Sequence, residues 1–558
     1  MKSASRLDLR IVLLLFALLP LVNFVVLDVL NLGLGVFCSI WFIYGSLLAF
    51  VAVSALLGRI PVSSWFLVIV ISVVISVSMI VPLSVPPSVL DNFPSTPQTV
   101  QLAGDTFSTG RLPSASQASS GYVDYPLAIV LLSLGRGLTG LDFDALSKIL
   151  GLLLSIMPAV AFFALIRDRR IGFVASLVGG LAPWIVGTVS HYTPVSLAAV
   201  IMSFLVVLVF CINERNERAI FPVLVILEVC LTISDVDLSF FFVILLVGYA
   251  GARLLLQRRT DALLARVSLL IAFGSALWVL WFILVTPSLS LLNLFSTILA
   301  RVLLNPLLSS TSLAPTGVKP FWEVLLEYAT FSLLLTTSFA AAYHFRRSNA
   351  HLSATILGAG FAGFVALIPW VLGFGTGIDL ASRSFFIFQL GVSIAIGAFV
   401  GDLVVLKKRW SILVCSALIV LVTLNSFMYG IEPYRYDPAT PYTKEDSRFN
   451  LVSWQQLFLD LGSFSGGMTI WGVRIGGAFA SNLSGYNELV PGVTLSPSSI
   501  TPEDLSNLSD VLGVSLVVVR HSLDTIPEWP GQPTPDADAV LSRYDIVLQT
   551  GDAYVILT

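Results

Sequence analysis

Apolar segments of about 20 residues recur along most of the first 430 residues of this chain. A helix needs about 20 apolar residues to cross the hydrocarbon core of a bilayer. Hydrophobic residues make up 56% of the sequence and charged residues only 11%, whereas a soluble domain has about 25% charged residues. The sequence therefore predicts a polytopic α-helical membrane protein with about thirteen transmembrane helices. We place them near residues 11–30, 34–57, 64–85, 145–166, 171–189, 194–212, 220–234, 238–256, 266–286, 322–343, 352–374, 383–405 and 410–430.

Basic residues fall in every second connection between these segments, and such residues mark the cytoplasmic side of a membrane. This pattern predicts a cytoplasmic N-terminus. It also predicts that the first large loop, residues 86–140, the long loop 287–321 and the C-terminal region all lie outside the cell. The basic residues in question are Lys2, Arg6, Arg10, Arg59, Arg167, Arg169, Arg170, Arg215, Arg218, Arg253, Arg258, Arg259, Arg346, Arg347, Lys407, Lys408 and Arg409.

The charge and cysteine content exclude two classes of protein. The net charge is -3 and no large basic patch is present, so nothing indicates a nucleic-acid partner. The four cysteines all lie inside apolar segments, which gives no disulfide framework.

Residues 431–558 differ in composition from the membrane domain 1–430, because they are rich in Pro, Gly, Ser and Asp. The Val-rich run Val511–Val519 is typical of a buried strand. Tyr544–Leu548 and Ala553–Leu557 predict a terminal hairpin, and Phe449–Leu461 has helical spacing. We expect a small extracytoplasmic α/β domain.

A polar stretch, residues 91–140, interrupts the membrane pattern. It contains an amphipathic segment, Val100–Arg111, and then Tyr125 and Pro126 leading into a short apolar run that ends at Gly140. Pro126 suits the first turn of a helix, where its missing N–H costs nothing. The apolar run is too short to span a bilayer, so we predict a helix that lies in the membrane interface.

Three features together resemble the GT-C membrane glycosyltransferases, the class of oligosaccharyltransferase catalytic subunits, protein O-mannosyltransferases and aminoarabinose transferases. One is the long outer loop with its Gly110-Arg111-Leu112-Pro113 and Tyr125-Pro126-Leu127 motifs. The second is the outer turn Ser190-His191-Tyr192-Thr193, and the third is the C-terminal domain with its Val-rich strand and hairpin. The chain departs from the family pattern in one respect. The family usually has its large loop after the first helix, whereas two further helices precede the loop in this chain.

The resemblance implies transfer of a sugar from a polyprenyl-phosphate-linked donor to a lipid, glycan or protein acceptor at the outer face. Two alternatives stay open. One is a non-catalytic GT-C-like protein that binds lipid or assists assembly, and the other is a lipid or glycan transporter. A transporter favours charges near the middle of the bilayer, whereas most ionisable residues of this chain lie at the ends of the apolar segments.

The first candidate catalytic residue is Asp91. The resemblance implies an acidic residue early in this loop, and a carboxylate there can act as general base on the acceptor. Asp91 lies further upstream of Gly110 than the family pattern places its acid, so a carboxylate that only faces water remains the alternative. Asp105, on the amphipathic segment, is the substitute, with simple surface placement as its alternative.

The candidate metal ligands are His191, Asp235 and Asp237, for a divalent ion such as Mg or Mn. The alternative for each is a polar residue that caps a helix. Arg383 and Arg301 are the candidates for binding the donor phosphate, because an arginine offers paired donors to phosphate. A snorkelling membrane anchor is the alternative for Arg383.

Overall fold

We describe the protein from a computed structural model. The structure describes residues 18, 34–80, 95–112, 125–181, 192–212, 216–257, 262–285, 321–371, 377–405 and 409–431, and in the C-terminal region 469–472, 487–488, 516–520, 542–543, 545–550 and 553–557. The helices in this part of the chain are α1 Leu34–Leu56, α2 Trp65–Ile80, α3 Ser95–Thr109, α4 Pro126–Thr139, α5 Phe143–Leu165, α6 Arg169–Gly180, α7 Pro194–Cys211, α8 Glu217–Ser234, α9 Val236–Gln257, α10 Ala262–Val285, α11 Phe321–Phe345, α12 Ala350–Val371, α13 Gly377–Val405 and α14 Arg409–Ile431.

The predicted apolar segments from 34–57 to 410–430 each overlap one of these helices. The first predicted segment, 11–30, lies outside the described residues except for residue 18. Among the described residues, four helical segments are long and apolar enough to cross a membrane by length and composition alone. They are Ala145–Leu165, Pro194–Cys211, Val236–Leu256 and Ala262–Trp281. The protein is a mostly helical membrane protein.

Local sequence signals explain where several of these helices begin and end. Pro126 opens α4, and Gly140 closes it in the left-handed conformation with φ 72°, which glycine adopts without steric cost. Asp142 caps α5 by accepting a hydrogen bond from the Ala145 N–H at 2.6 Å. Thr193 caps α7 in the same way, from the Ser196 N–H at 3.1 Å.

The core lies among helices α5 to α13, where small residues let the backbones approach closely. Gly248 of α9 faces Gly358 of α12, since a Cβ built on Gly248 would lie 3.1 Å from the Gly358 Cα atom. A Cβ on Gly358 would lie 2.8 Å from both the Leu245 carbonyl oxygen and the Tyr249 nitrogen. Such close crossings are typical of helix pairs in membranes, where small residues permit tight van der Waals packing.

We expect Gly358→Ala to destabilise the protein by about 1–3 kcal/mol, the usual cost of overpacking a well-packed contact. The added methyl group meets backbone atoms of α9, which cannot move aside as a side chain can. Gly360→Ala is the matched control, because a Cβ there meets nothing within 4 Å and alanine favours a helix over glycine by about 1 kcal/mol. The thermal stability of both variants in detergent checks this. Equal stability of the two variants would contradict the close crossing.

The described strands of the C-terminal region form one mixed sheet. The strands are β1 Thr469–Gly472, β2 Asn487–Glu488, β3 Leu516–Arg520, β4 Asp545–Thr550 and β5 Ala553–Leu557. Their order in the sheet is β2-β1-β3-β5-β4. Strand β1 runs parallel to its neighbours β2 and β3. Strand β5 runs antiparallel to its neighbours β3 and β4. The predicted strand and the predicted hairpin are therefore both present. The predicted helix Phe449–Leu461 lies outside the described residues.

Candidate functional site

Helices α3 and α4 form a small platform with its own apolar core. Val100, Ala103, Ile129, Leu132 and Leu146 are among the buried residues that join α3, α4 and the start of α5. The amphipathic spacing of α3 turns one side of this helix toward α4, because apolar residues at i, i+3 and i+4 share a face.

Hydrogen bonds fix the two helices of the platform relative to each other. The buried Ser133 hydroxyl lies 2.9 Å from the main-chain oxygens of both Ala103 on α3 and Ile129 on α4. At the end of α4, the Arg136 guanidinium donates to the Gly140 carbonyl oxygen at 3.0 Å. The platform is therefore held by polar contacts as well as by its apolar core.

Tyr192 attaches the platform to the helical bundle. Its hydroxyl donates to the Ala128 carbonyl oxygen at 2.9 Å, and its ring is buried in the platform core. This burial raises the pKa of the Tyr192 hydroxyl above its usual value. The hydroxyl is the donor in this contact, because a carbonyl oxygen can only accept a hydrogen bond. Tyr192 directly precedes Thr193, the cap of α7. The start of α7 is thereby tied to the start of α4.

One face of α4 is apolar and exposed. Leu131, Leu134 and Leu138 follow the i, i+3, i+7 pattern of one helix face, and Leu138 is 87% exposed. Exposed leucines in a row are typical of a surface that rests on lipid. The structure confirms the predicted helix at 126–139, and its position in the membrane interface stays a prediction.

Asp105 lies on α3 with its side chain exposed. Desolvation by the protein around it raises the pKa of its carboxyl above the usual value. The neighbouring Ser108 and Thr109 hydroxyls donate to the Asp105 main-chain oxygen, not to its carboxylate. Among the described residues, no hydrogen bond or ion pair involves this carboxylate.

Asp235 caps helix α9. Its Oδ1 accepts hydrogen bonds from the Asp237 N–H at 3.0 Å and from the Leu238 N–H at 2.9 Å. Its side chain is buried, while that of Asp237 is partly exposed. The capping alternative therefore explains one oxygen of Asp235, and Asp237 is the more accessible of the two carboxylates.

The remaining predicted site residues are Asp91, His191, Arg301 and Arg383. Asp91, His191 and Arg301 lie outside the described residues. Arg383 is the seventh residue of α13, so its backbone is helical, and its side chain is not described. Across the described part of the chain, no group of three or more His, Cys, Asp or Glu residues could hold a metal ion.

The fold resembles solved membrane glycosyltransferases. The oligosaccharyltransferase of Archaeoglobus fulgidus in its apo form aligns with a TM-score of 0.52 and 11% identity, over 86% of this chain and 73% of that one. ArnT from Cupriavidus metallidurans, bound to undecaprenyl phosphate, aligns with a TM-score of 0.49 and 12% identity, over 83% of this chain and 93% of that one. A structure of the archaeal enzyme with Zn and sulfate gives a TM-score of 0.48.

The match to the archaeal enzyme identifies the fold as that of the GT-C membrane glycosyltransferases, which confirms the predicted resemblance. No protein-family model matches the chain, and no curated protein matches it in sequence. At 11% identity the likeness establishes the fold, and the chemistry must be argued from the chain's own residues.

Substitutions at Asp235 separate its capping role from a metal-binding role. We expect Asp235→Ala to lower stability by about 0.5–2 kcal/mol, the usual cost of losing a helix N-cap. Asp235→Asn should stay close to the wild type, because an amide oxygen caps as well as a carboxylate. Thermal unfolding of both variants in detergent checks this. If Asp235→Asn unfolds as easily as Asp235→Ala, the carboxylate charge matters and the cap alone does not explain the residue.

Proposed function

We propose that this protein is an integral membrane glycosyltransferase that moves a sugar from a polyprenyl-phosphate-linked donor to an acceptor at the outer face. The observation that carries the proposal is the GT-C fold, which covers 86% of the chain. The acceptor is a lipid, a glycan or a protein. The protein then acts in the cell membrane, with its N-terminus in the cytoplasm and its C-terminal domain outside.

The layout of the described residues supports this chemistry. The donor's lipid tail must stay in the bilayer while its sugar meets a polar acceptor at the membrane surface. The platform of α3 and α4 combines an exposed apolar face, Leu131 to Leu138, with the carboxylate of Asp105. A lipid-linked sugar needs both kinds of group, an apolar face for its tail and polar groups for its head.

The roles of the individual residues follow from the charges that the reaction creates. A sugar hydroxyl or amide is a poor nucleophile at neutral pH, so a carboxylate must take its proton. We assign that role to Asp91, with Asp105 as the substitute. The departing phosphate gains negative charge and needs a fixed cation nearby, which we assign to Arg383, assisted by Arg301.

A divalent ion could supply part of that positive charge. Its ligands would come from His191, Asp235 and Asp237. Asp235 already uses one oxygen to cap α9, so Asp237 is the better ligand of the pair. Carboxylates are the oxygen ligands that Mg²⁺ and Mn²⁺ prefer.

Direct assay of the purified protein tests the proposal. The protein in detergent or liposomes is mixed with a panel of sugars linked to polyprenyl phosphate, together with lipid, glycan and peptide acceptors. We expect sugar transfer to one acceptor class and loss of the corresponding surface glycan when the gene is deleted. If the protein binds the lipid donor without any transfer, the non-catalytic alternative holds. Movement of the intact lipid-linked sugar across liposome membranes without transfer would instead show a transporter.

A further inference from the structure

Glu228 is a fully buried carboxyl residue in the apolar part of α8. Its Oε1 atom lies 2.7 Å from the Ser239 hydroxyl of α9. Its Oε2 atom is also buried and has no hydrogen-bond partner within the described residues. Gly274 of α10 closes the third side, because a Cβ there would lie 3.1 Å from Oε1. Three helices therefore enclose this carboxyl.

Two hydroxyl groups link Glu228 to the neighbouring helix. The Thr232 hydroxyl lies 2.9 Å from the main-chain oxygen of Glu228, one helical turn earlier. The same hydroxyl lies 2.9 Å from the Ser239 hydroxyl. Together with the contact between Ser239 and Oε1, these groups form a chain of three hydrogen bonds between α8 and α9.

The number of protons available to these three contacts indicates the protonation state of Glu228. A threonine or serine hydroxyl has one proton to donate. The main-chain oxygen of Glu228 can only accept, so the Thr232 proton is used there. The Ser239 proton can then serve only one of the two remaining contacts, and with an ionised carboxylate it would be donated to Oε1. All three contacts are hydrogen bonds only if Oε1 carries a third proton, because Ser239 can then donate to Thr232 and accept from Oε1.

The charged residues near Glu228 also favour a neutral carboxyl group. Within the described residues no cation pairs with Glu228, and the ion pair between α8 and α10 joins Glu217 to Arg266 at 3.4 Å. An ionised carboxylate buried without a cation is very costly. A neutral acid avoids that cost, and its unpartnered Oε2 is then only a carbonyl oxygen.

We propose that Glu228 is a neutral carboxylic acid at physiological pH and that its proton completes the polar link between α8 and α9. Glu228 lies seven residues before Asp235, about 10 Å along the helix at a rise of ~1.5 Å per residue. The link thus lies just below the α8–α9 turn that carries Asp235 and Asp237. The Glu228 proton therefore helps to hold α8 and α9 together next to this turn. The inference is independent of the proposed enzymatic activity.

Infrared difference spectroscopy of the purified protein at neutral pH tests the protonation state. A protonated carboxyl has a carbonyl stretching band that a carboxylate lacks. We expect this band to decrease in Glu228→Gln by the amount of one carboxylic acid. Glu217→Gln is the matched control on the same helix, and it should leave the band unchanged because Glu217 is paired with Arg266.

Ser239→Ala supplies a second, independent readout. It removes the acceptor of the Glu228 proton, so the carboxylic-acid band should shift in position without losing intensity. Ser239→Ala therefore tests the protonation state of Glu228 even if Glu228→Gln cannot be purified. A carboxylic-acid band that neither Glu228→Gln nor Ser239→Ala alters overturns the proposal. A marked rise in melting temperature of Glu228→Gln together with an unaltered band identifies an ionised Glu228.

Discussion

Replacement of Asp91 by Asn is expected to reduce sugar transfer by a factor of about 10²–10⁴, the usual contribution of a general base. The amide is nearly the same size as the carboxylate and cannot take a proton from the acceptor. The variant should keep its expression level and its melting temperature, because the change removes a charge in a polar loop. Initial rates of transfer at saturating donor measure the effect.

Asp105→Asn is the matched control for Asp91→Asn. Asp105 lies in the same polar stretch of the sequence, on α3, and its side chain is exposed. If Asp91 is the base, Asp105→Asn should reduce the transfer rate much less than Asp91→Asn does. Wild-type transfer by Asp91→Asn would refute the assignment. A large loss in Asp105→Asn instead would identify Asp105 as the base, and the elevated pKa of its carboxyl suits that role.

The sequence predicts most of the helical fold because each transmembrane helix carries its own signal. An apolar run of about 20 residues is recognisable without any knowledge of its neighbours. Helix ends are also local, as the Pro126 start and the Gly140 end of α4 illustrate. The terminal hairpin of β4 and β5 is local as well.

Contacts between segments that are distant in the sequence have no such local sequence signal. The hydrogen bond from Tyr192 to Ala128 joins residues 64 positions apart, and no periodicity predicts that pairing. The sequence did single out the turn at Tyr192, as part of a motif, but not the role of this side chain in holding the platform. The close crossing of Gly248 and Gly358 is another contact that only the folded bundle defines.

In the candidate site, too, the sequence indicates local features but not the contacts that form on folding. The sequence offered two explanations for the Asp235-Val236-Asp237 motif, and the hydrogen bonds from the Asp237 and Leu238 N–H groups establish capping for Asp235. Glu228 was missed, although a single acidic residue inside an apolar segment is a recognisable signal. Its protonation could not be deduced from sequence, since it depends on Thr232 and Ser239 around it.

Replacement of Arg383 by Ala is expected to raise the KM for the lipid-linked donor. A hydrogen bond to a charged group contributes about 1.5–3 kcal/mol, and each 1.4 kcal/mol is a factor of about ten. The donor KM should therefore rise by about 10–150-fold, with a smaller change in the KM for the acceptor. Steady-state kinetics with each substrate varied in turn measure the two constants.

Arg383→Lys distinguishes phosphate binding from membrane anchoring. Lysine keeps the positive charge and can still snorkel to the interface, but it lacks the paired donors of the guanidinium. If Arg383 binds phosphate through paired donors, the lysine variant should have a donor KM between those of wild type and Arg383→Ala. If Arg383 is only an anchor, Arg383→Lys behaves as wild type and Arg383→Ala loses stability without a selective rise in donor KM. A selective rise in the donor KM is therefore the result that assigns Arg383, on α13, to the donor phosphate.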